Sequence, residues 1–286
     1  MSSTARRIPT IEMRAAAVAL LCATFLFVTT AQAQQLYLHA VPPEDQFGNV
    51  TLNKHATVDS GPVVFEHWLH RAKFTCRVCH VDIGFAMQAN ETGIDAKTNA
   101  QGFYCGACHD GKRQFGGVVM FRACTPDRAA NTDATCLHCH ASKKTKYKYS
   151  YAQFTAKLPK ARYGVDWMAA EKSELLKPID IVEGVSIPKE RINNRADLSI
   201  HPNVEWFTGI HFSHELHSKW NGCELCHPEI FPTQKSGSGP GNITMYQIAN
   251  GRFCGACHVK VAFPINGCNQ CHAKGPNWVD GPGWVM

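Results

Sequence analysis

Twelve of the fourteen cysteines in this chain of 286 residues belong to six copies of Cys-x-x-Cys-His. In this pattern two thiols add to the vinyl groups of one haem, and the histidine that follows becomes an axial ligand of the iron. Structural zinc sites and redox dithiols do not need a histidine after every cysteine pair. The spacing therefore predicts six covalently bound haem c groups. They are numbered here in chain order, with attachment and ligation by Cys76/Cys79/His80, Cys105/Cys108/His109, Cys136/Cys139/His140, Cys223/Cys226/His227, Cys254/Cys257/His258 and Cys268/Cys271/His272.

A second pattern, Phe-x-His-x-x-His, occurs as FEHWLH at 65–70 and as FSHELH at 212–217. In both copies the first histidine stands nine residues before the next motif cysteine. Residues three apart project from one face of a helix, so the two imidazoles can reach two neighbouring haems but cannot both bind one. Surface or hydrogen-bonded core histidines would not explain the fixed interval. We therefore predict second axial ligands for four haems at His67, His70, His214 and His217.

The two halves of the chain repeat each other. Cys76 and Cys223 lie 147 residues apart, and Cys105 and Cys254 lie 149 apart. This indicates duplication of a domain and not a short-period solenoid. We predict trihaem domains at 34–140 and 205–286, joined by a connector at 141–204.

Secondary structure is expected to be sparse, since apolar periodicity is weak and Gly, Pro, Asn and Lys are spread throughout. The sequence predicts a small, mostly irregular fold with short α-helices and a hairpin ahead of Phe65, with a core built on porphyrin faces. Within the connector we predict a helix over Val165–Leu176, ended by Pro178 and packed on a domain through Trp167.

The first 33 residues have the pattern of a secretory signal peptide. Arg6, Arg7 and Arg14 precede an apolar run, and AQA at 31–33 offers a cleavage site. Removal of this segment lowers the formal net charge from +6 to +4, and ionised haem propionates would reverse it. The basic composition is thus no indication of a nucleic-acid partner. We expect an exported, periplasmic protein that is not an integral membrane protein, and cell-surface association stays open.

The order Phe-x-His-x-x-His followed by three haem motifs resembles the trihaem cytochrome c7 domain, a shortened relative of cytochrome c3. Residues 60–140 and 205–273 resemble two such domains in tandem, as in multidomain c7-type cytochromes of metal-respiring bacteria. In that family the first histidine of the pair serves the first haem and the second serves the middle haem. The resemblance thus implies His67/His80 for haem 1, His70/His109 for haem 2, His214/His227 for haem 4 and His217/His258 for haem 5.

The third haem of each family domain takes its ligand from just before the middle motif. Met245 stands nine residues before Cys254, so the resemblance implies Met245 with His272 at haem 6. A thioether ligand there would raise the reduction potential above that of bis-histidine haems.

The first copy departs from this pattern, because Ala96 stands nine residues before Cys105. Haem 3, held by His140, must take another ligand or none. Met87 is our first candidate, His55 and Met120 are alternatives, and a five-coordinate iron is the remaining possibility.

Mostly six-coordinate haems favour an electron carrier over an enzyme, because an iron with two axial ligands can only exchange electrons. The resemblance points to periplasmic or extracellular electron transfer linked to metal respiration or oxidation. The expected partners are redox proteins: an inner-membrane quinone-linked cytochrome, an outer-membrane conduit or other multihaem cytochromes. The alternative is a reductase or oxidase of a small inorganic molecule at an open haem 3. His211 and Cys124 receive no haem role, and a buried thiol is preferred to an intermolecular disulfide for Cys124.

Overall fold

The computed structural model describes residues 44, 46–54, 61–140, 151–161, 164–188, 197–200, 209–232, 243–265 and 268–272. The predicted signal peptide and the candidate ligand His55 lie outside these residues.

Helices in the described part of the chain are short, as predicted. The α-helices are His67–Arg71, Ala96–Ala100, Asp133–Leu137, Tyr151–Thr155, Trp167–Lys172, His214–Asn221, Met245–Ala249, Gly255–His258 and Cys268–Cys271. A π-helical turn covers Val78–Asp82, and 3₁₀ turns cover Tyr104–Ala107 and Arg128–Ala130. Within the same residues no helix has the length and hydropathy needed to cross a bilayer. The expectation of a small, irregular fold with short helices is confirmed.

The described strands form two-stranded antiparallel ribbons. They pair Asn49–Leu52 with Val63–Glu66, Gln114–Phe115 with Val118–Val119, Lys160–Ala161 with Gly164–Val165, and Leu198–Ile200 with Ile210–Phe212. The hairpin predicted ahead of Phe65 is therefore present, with Val50 opposite Phe65. In each half, a ribbon strand leads directly into the helix that carries the paired histidines.

Local sequence fixes where these helices start. The Ser213 side chain accepts a hydrogen bond from the Leu216 amide and caps His214–Asn221. Asp95 with Thr98 and Thr244 with Gln247 form capping boxes. These boxes begin the helices Ala96–Ala100 and Met245–Ala249, each of which precedes the middle haem motif of its half. The same device thus recurs at the same place in both copies.

The connector packs on the first paired-histidine helix. Its buried side chains Leu158, Ala170 and Leu176 form an apolar cluster with Ala72, directly after that helix. Trp68, only 2% exposed, lies 5.2 Å from Tyr151 and 5.5 Å from Phe154 between ring centroids. An aliphatic and aromatic core therefore exists in addition to any porphyrin surfaces.

The connector helix is shorter than predicted. It covers Trp167–Lys172 and not Val165–Leu176. Val165 belongs to a strand, and the Asp166 side chain caps the helix by accepting from the Ala169 amide. Glu174 adopts a left-handed φ of 59°, so the helix ends well before Pro178. The predicted packing of Trp167 is confirmed, because this ring lies against the apolar cluster.

Two neighbouring leucines test the connector core. Leu176 is 8% exposed and Leu175 is 53% exposed. We expect Leu176→Ala to lower the free energy of unfolding by about 2–4 kcal/mol, because it leaves a cavity in the cluster. Leu175→Ala is the matched control and should change it by less than about 0.5 kcal/mol. Denaturant unfolding of the haem-loaded protein measures both, and equal effects would contradict a connector core.

Candidate functional site

Three pairs of predicted ligands face each other at almost the same separation. The ring centroids are 6.4 Å apart for His67 and His80, 6.4 Å for His70 and His109, and 6.3 Å for His217 and His258. The ring planes are inclined by 5°, 61° and 59° respectively. These are the pairs that the resemblance implies for haems 1, 2 and 5.

This separation is too long for two rings in contact and suits two imidazoles with one metal ion between them. A metal–nitrogen bond of about 2 Å on each side, with each ring centre about 1 Å behind its nitrogen, gives about 6 Å between centroids. The residues therefore fit an iron porphyrin, although the assignment of each pair to a haem stays a prediction.

The ring nitrogen that would not bind iron is hydrogen-bonded to the backbone in seven predicted ligands. In each, Nδ1 donates to a carbonyl oxygen: His67 to Gly48 (2.5 Å), His70 to Glu66 (3.3 Å), His80 to Phe85 (2.9 Å), His140 to Gly61 (3.0 Å), His217 to Ser213 (2.8 Å), His227 to Phe231 (2.6 Å) and His258 to Phe263 (3.3 Å). Such a bond fixes the tautomer and leaves the Nε2 lone pair for a metal.

Burial keeps three of these imidazoles neutral. It lowers the pKa of His67, His70 and His258 to about 4, and backbone hydrogen bonds oppose the shift only in part. At neutral pH each ring is therefore in the uncharged form that binds metals. Burial also raises the pKa of the motif thiols Cys79 and Cys257 to about 12.

The phenylalanine of Phe-x-His-x-x-His orients both histidines that follow it. Phe65 lies 4.3 Å from the His70 ring at 35° and meets the His67 ring edge-on at 4.8 Å. Phe212 lies 4.2 Å from the His217 ring and meets the His214 ring edge-on at 5.0 Å. Sequence reasoning assigned no role to this residue, although its recurrence in both motifs was the available indication.

Other aromatic contacts follow no common spacing. Phe121 lies 4.2 Å from the His109 ring, twelve residues after that histidine, and Phe263 lies 4.2 Å from the His258 ring, five residues after it. Both phenylalanines cover the ring of a middle-motif histidine. Because their positions in the two copies do not correspond, the sequence alone could not identify them.

The middle motif, Cys-Gly-Ala-Cys-His in both copies, needs its glycine. A Cβ at Gly106 would lie 1.9 Å from the Asn99 carbonyl oxygen, and one at Gly255 would lie 1.8 Å from that of Ile248. No side chain fits at either position, so the motif packs directly on the preceding capped helix. Sequence reasoning missed this contact, although CGAC stands in both copies.

Ala96 and Met245 occupy equivalent places, because each is the first residue of the capped helix before the middle motif. Met245 is 40% exposed. Met87 and Met120 are both half-buried in the first copy. Ligation of haem 6 by Met245 and of haem 3 by Met87 stay predictions.

The described cysteines form no disulfide with one another. Cys124 is half-buried and lies near Cys105 and Cys136, between the second and third motifs.

The sequence profile of a family described as cytochrome c7 and related cytochrome c matches residues 63–141 and 210–273, together half of the chain. The chain belongs to this cytochrome c7 family. The two matched regions make it a tandem c7-type multihaem cytochrome. Members of such families bind haem c covalently and transfer electrons, and they exchange those electrons with redox partners outside the cytoplasm.

Solved structures of similar proteins were also found. The C-terminal hexahaem fragment of GSU1996 is 20% identical, with 79% of this chain and 96% of that chain covered and a TM-score of 0.24. The N-terminal hexahaem fragment is 24% identical, with coverages of 79% and 98% and a TM-score of 0.23. The dodecahaem cytochrome c GSU1996 is 18% identical, with coverages of 85% and 81% and a TM-score of 0.24. The search of curated proteins gave no significant match.

The ring angles predict two classes of ferric haem in this c7-type cytochrome. Parallel imidazoles donate to the same iron d orbital and split the d levels, whereas strongly inclined imidazoles leave them closer in energy. We expect a rhombic low-spin signal from the pair His67/His80, and signals with a larger maximal g value from His70/His109 and His217/His258.

Low-temperature electron paramagnetic resonance of the oxidised protein measures these signals. The difference spectrum of His67→Ala should identify the rhombic signal, and that of His217→Ala a signal of the second class. If both substitutions removed signals with the same g values, the ring geometry would be contradicted.

Proposed function

We propose that this cytochrome is a hexahaem electron carrier in periplasmic or extracellular electron transfer, and not an enzyme. The observation that carries the proposal is the 6.3–6.4 Å separation in three histidine pairs. An iron with an imidazole on each side has no position left for a substrate. Electron exchange is the chemistry that such a centre retains.

When bound, each haem c supplies a one-electron change at iron. The protein's own residues decide where that change takes place and how readily. The motif cysteines tether each group, hydrogen bonds to backbone carbonyls fix the orientation of the imidazoles, and Phe65 and Phe212 restrict ring rotation. Because the ligands are already oriented and buried, little rearrangement is needed when the charge at iron changes.

The proposed ligand set extends to the remaining haems. The Nδ1 of His227 donates a hydrogen bond to a backbone carbonyl, as does that of its counterpart His80. This supports His214/His227 for haem 4. The His140 ring is oriented by a hydrogen bond from its Nδ1 to the Gly61 carbonyl, which supports its place at haem 3. The full proposed set is His67/His80, His70/His109, Met87/His140, His214/His227, His217/His258 and Met245/His272.

Export, location and partners rest on the sequence. The signal-like segment 1–33 and the family's extracytoplasmic chemistry support a periplasmic protein. We propose that it exchanges electrons with an inner-membrane quinone-linked cytochrome, an outer-membrane conduit or other multihaem cytochromes. The resemblance to c7-type cytochromes of metal-respiring bacteria supports a place in metal respiration or oxidation.

A histidine substitution tests the distal ligands. We expect His217→Ala to convert one haem from low to high spin, because its iron loses one of two imidazoles, while all haems stay covalently attached. His211→Ala is the control, since His211 is 39% exposed in its side chain and pairs with Asp197 at 3.3 Å. Optical and resonance spectra report spin state, and mass spectrometry reports haem number. An unchanged spin state in His217→Ala would reject the pairing.

Carbon monoxide tests the choice between carrier and enzyme. Reduced protein with six attached haems should bind no carbon monoxide, because every iron is six-coordinate. Met245→Ala should then bind one equivalent per chain, which would place the methionine at haem 6. Binding of one equivalent by the parent protein would instead indicate an open iron and favour a reductase or oxidase. Fewer than six haems by mass would reject the hexahaem count itself.

A further inference from the structure

The first paired-histidine helix and the turn at Gly48 lie against the second copy. The Arg71 guanidinium, next to His70, donates to the carbonyl of Val261, three residues after His258. Gly48 also meets this segment, since a Cβ there would lie 3.4 Å from the Lys260 carbonyl oxygen and 3.5 Å from Val261 Cγ1. The Gly48 carbonyl accepts the hydrogen bond from His67. His67, a predicted ligand of haem 1, is thus hydrogen-bonded to a residue that contacts the second copy.

Arg77, inside the motif Cys76–His80, makes the second part of this contact. Its side chain is 1% exposed and pairs with the buried carboxylate of Asp82 at 2.8 Å. Its Nη2 donates to the Ile187 carbonyl of the connector at 3.1 Å. Its Nε lies 3.9 Å from Glu224 Oε2 of the second copy. One guanidinium therefore joins the first copy, the connector and the second copy.

Arg77 and Glu224 occupy equivalent positions in the two copies. Each follows the first cysteine of the first motif, in CRVCH and in CELCH. The duplicated position carries opposite charges, and the two side chains meet. Gly222 permits the approach, because a Cβ there would lie 2.9 Å from Arg77 Cδ. The first motif of one copy therefore faces the first motif of the other.

We propose that the Cys76–His80 motif is the electron-transfer junction between the two trihaem units, and that Arg71 and Arg77 are the positioning residues that hold it against the motifs Cys223–His227 and Cys254–His258. The inference rests on the proposed hexahaem carrier and adds the place where its two halves connect. Haem 1 is then the member of the first unit that lies beside haems 4 and 5.

The junction has a direct spectroscopic test. Low-spin ferrous haems are diamagnetic, so the fully reduced protein gives nuclear Overhauser contacts between protons of adjacent haems. We expect cross-unit contacts from haem 1 to haem 4 or haem 5, with haems assigned through the ligand variants. Cross-unit contacts that involve only haem 2, 3 or 6 would overturn the junction. A count other than six, or open irons at haems 1 and 5, would instead reject the proposed carrier.

Charge reversal at Glu224 supplies a second readout. Glu224→Lys adds positive charge beside Arg77, so we expect an upward shift in the midpoint potential of haem 1 as well as of haem 4. Glu229→Lys makes the same charge change at an exposed position two residues after the motif, and should leave haem 1 unchanged. Redox titration followed by nuclear magnetic resonance measures each haem separately. No shift of haem 1 in Glu224→Lys would overturn the junction.

Two substitutions test Arg71: Arg71→Met removes its hydrogen-bond donor, and Arg71→Lys keeps one. Arg71→Met keeps an apolar stem beside Trp167, whose ring the guanidinium covers at 4.1 Å, but loses the donor to Val261. The cross-unit Overhauser contacts should weaken in Arg71→Met and persist in Arg71→Lys, with six haems attached in both. Unchanged contacts in Arg71→Met would show that Arg71 does not hold the junction.

Discussion

The hydrogen bond from an imidazole Nδ1 to a backbone carbonyl is the constraint on which this structure depends. It recurs in both copies, on histidines before and within the haem motifs. The acceptor carbonyls of Gly48, Gly61 and Phe85 lie outside helices and strands, which is one physical reason for irregular backbone there, whereas the Ser213 carbonyl also accepts from the His217 amide. Gly48 illustrates the irregular backbone, since its left-handed φ of 87° lies at the turn that presents the acceptor to His67.

The connector supplies stability that the haem motifs cannot supply alone. It contributes most of the buried aliphatic side chains to the described apolar cluster and encloses Trp68, which stands between the paired histidines His67 and His70. The Thr75 amide donates to the Ile179 carbonyl and the Ile179 amide donates to the Lys73 carbonyl, which brings the connector to the first motif. Lys219 of the second paired-histidine helix forms an ion pair with Glu171 at 2.5 Å. The connector therefore contacts both helices that carry distal ligands.

The buried pair Arg77–Asp82 fits a role in specificity more than in stability. Desolvation of two charges can outweigh their attraction, so an apolar pair of similar volume would stabilise the fold as well or better. A charged pair, by contrast, demands partners with defined geometry. Arg77 finds them in Asp82, the Ile187 carbonyl and Glu224, which together define one arrangement of three chain segments. An apolar residue at this position would not select that arrangement.

The sequence by itself determined the attachment chemistry, the duplication, the paired histidines and the hairpin ahead of Phe65, because covalent spacing and helical periodicity are local properties. It overestimated the connector helix, since the local Asp166 cap was not recognised and the left-handed Glu174 after the helix has no local signal. Only the tertiary structure decided the angle between His67 and His80, the use of Phe121 in one copy and Phe263 in the other, and the meeting of Arg77 with Glu224. Apart from the contact of Phe263 with His258, five residues before it, these features join residues at least twelve positions apart, and no local pattern encodes which side chains will meet.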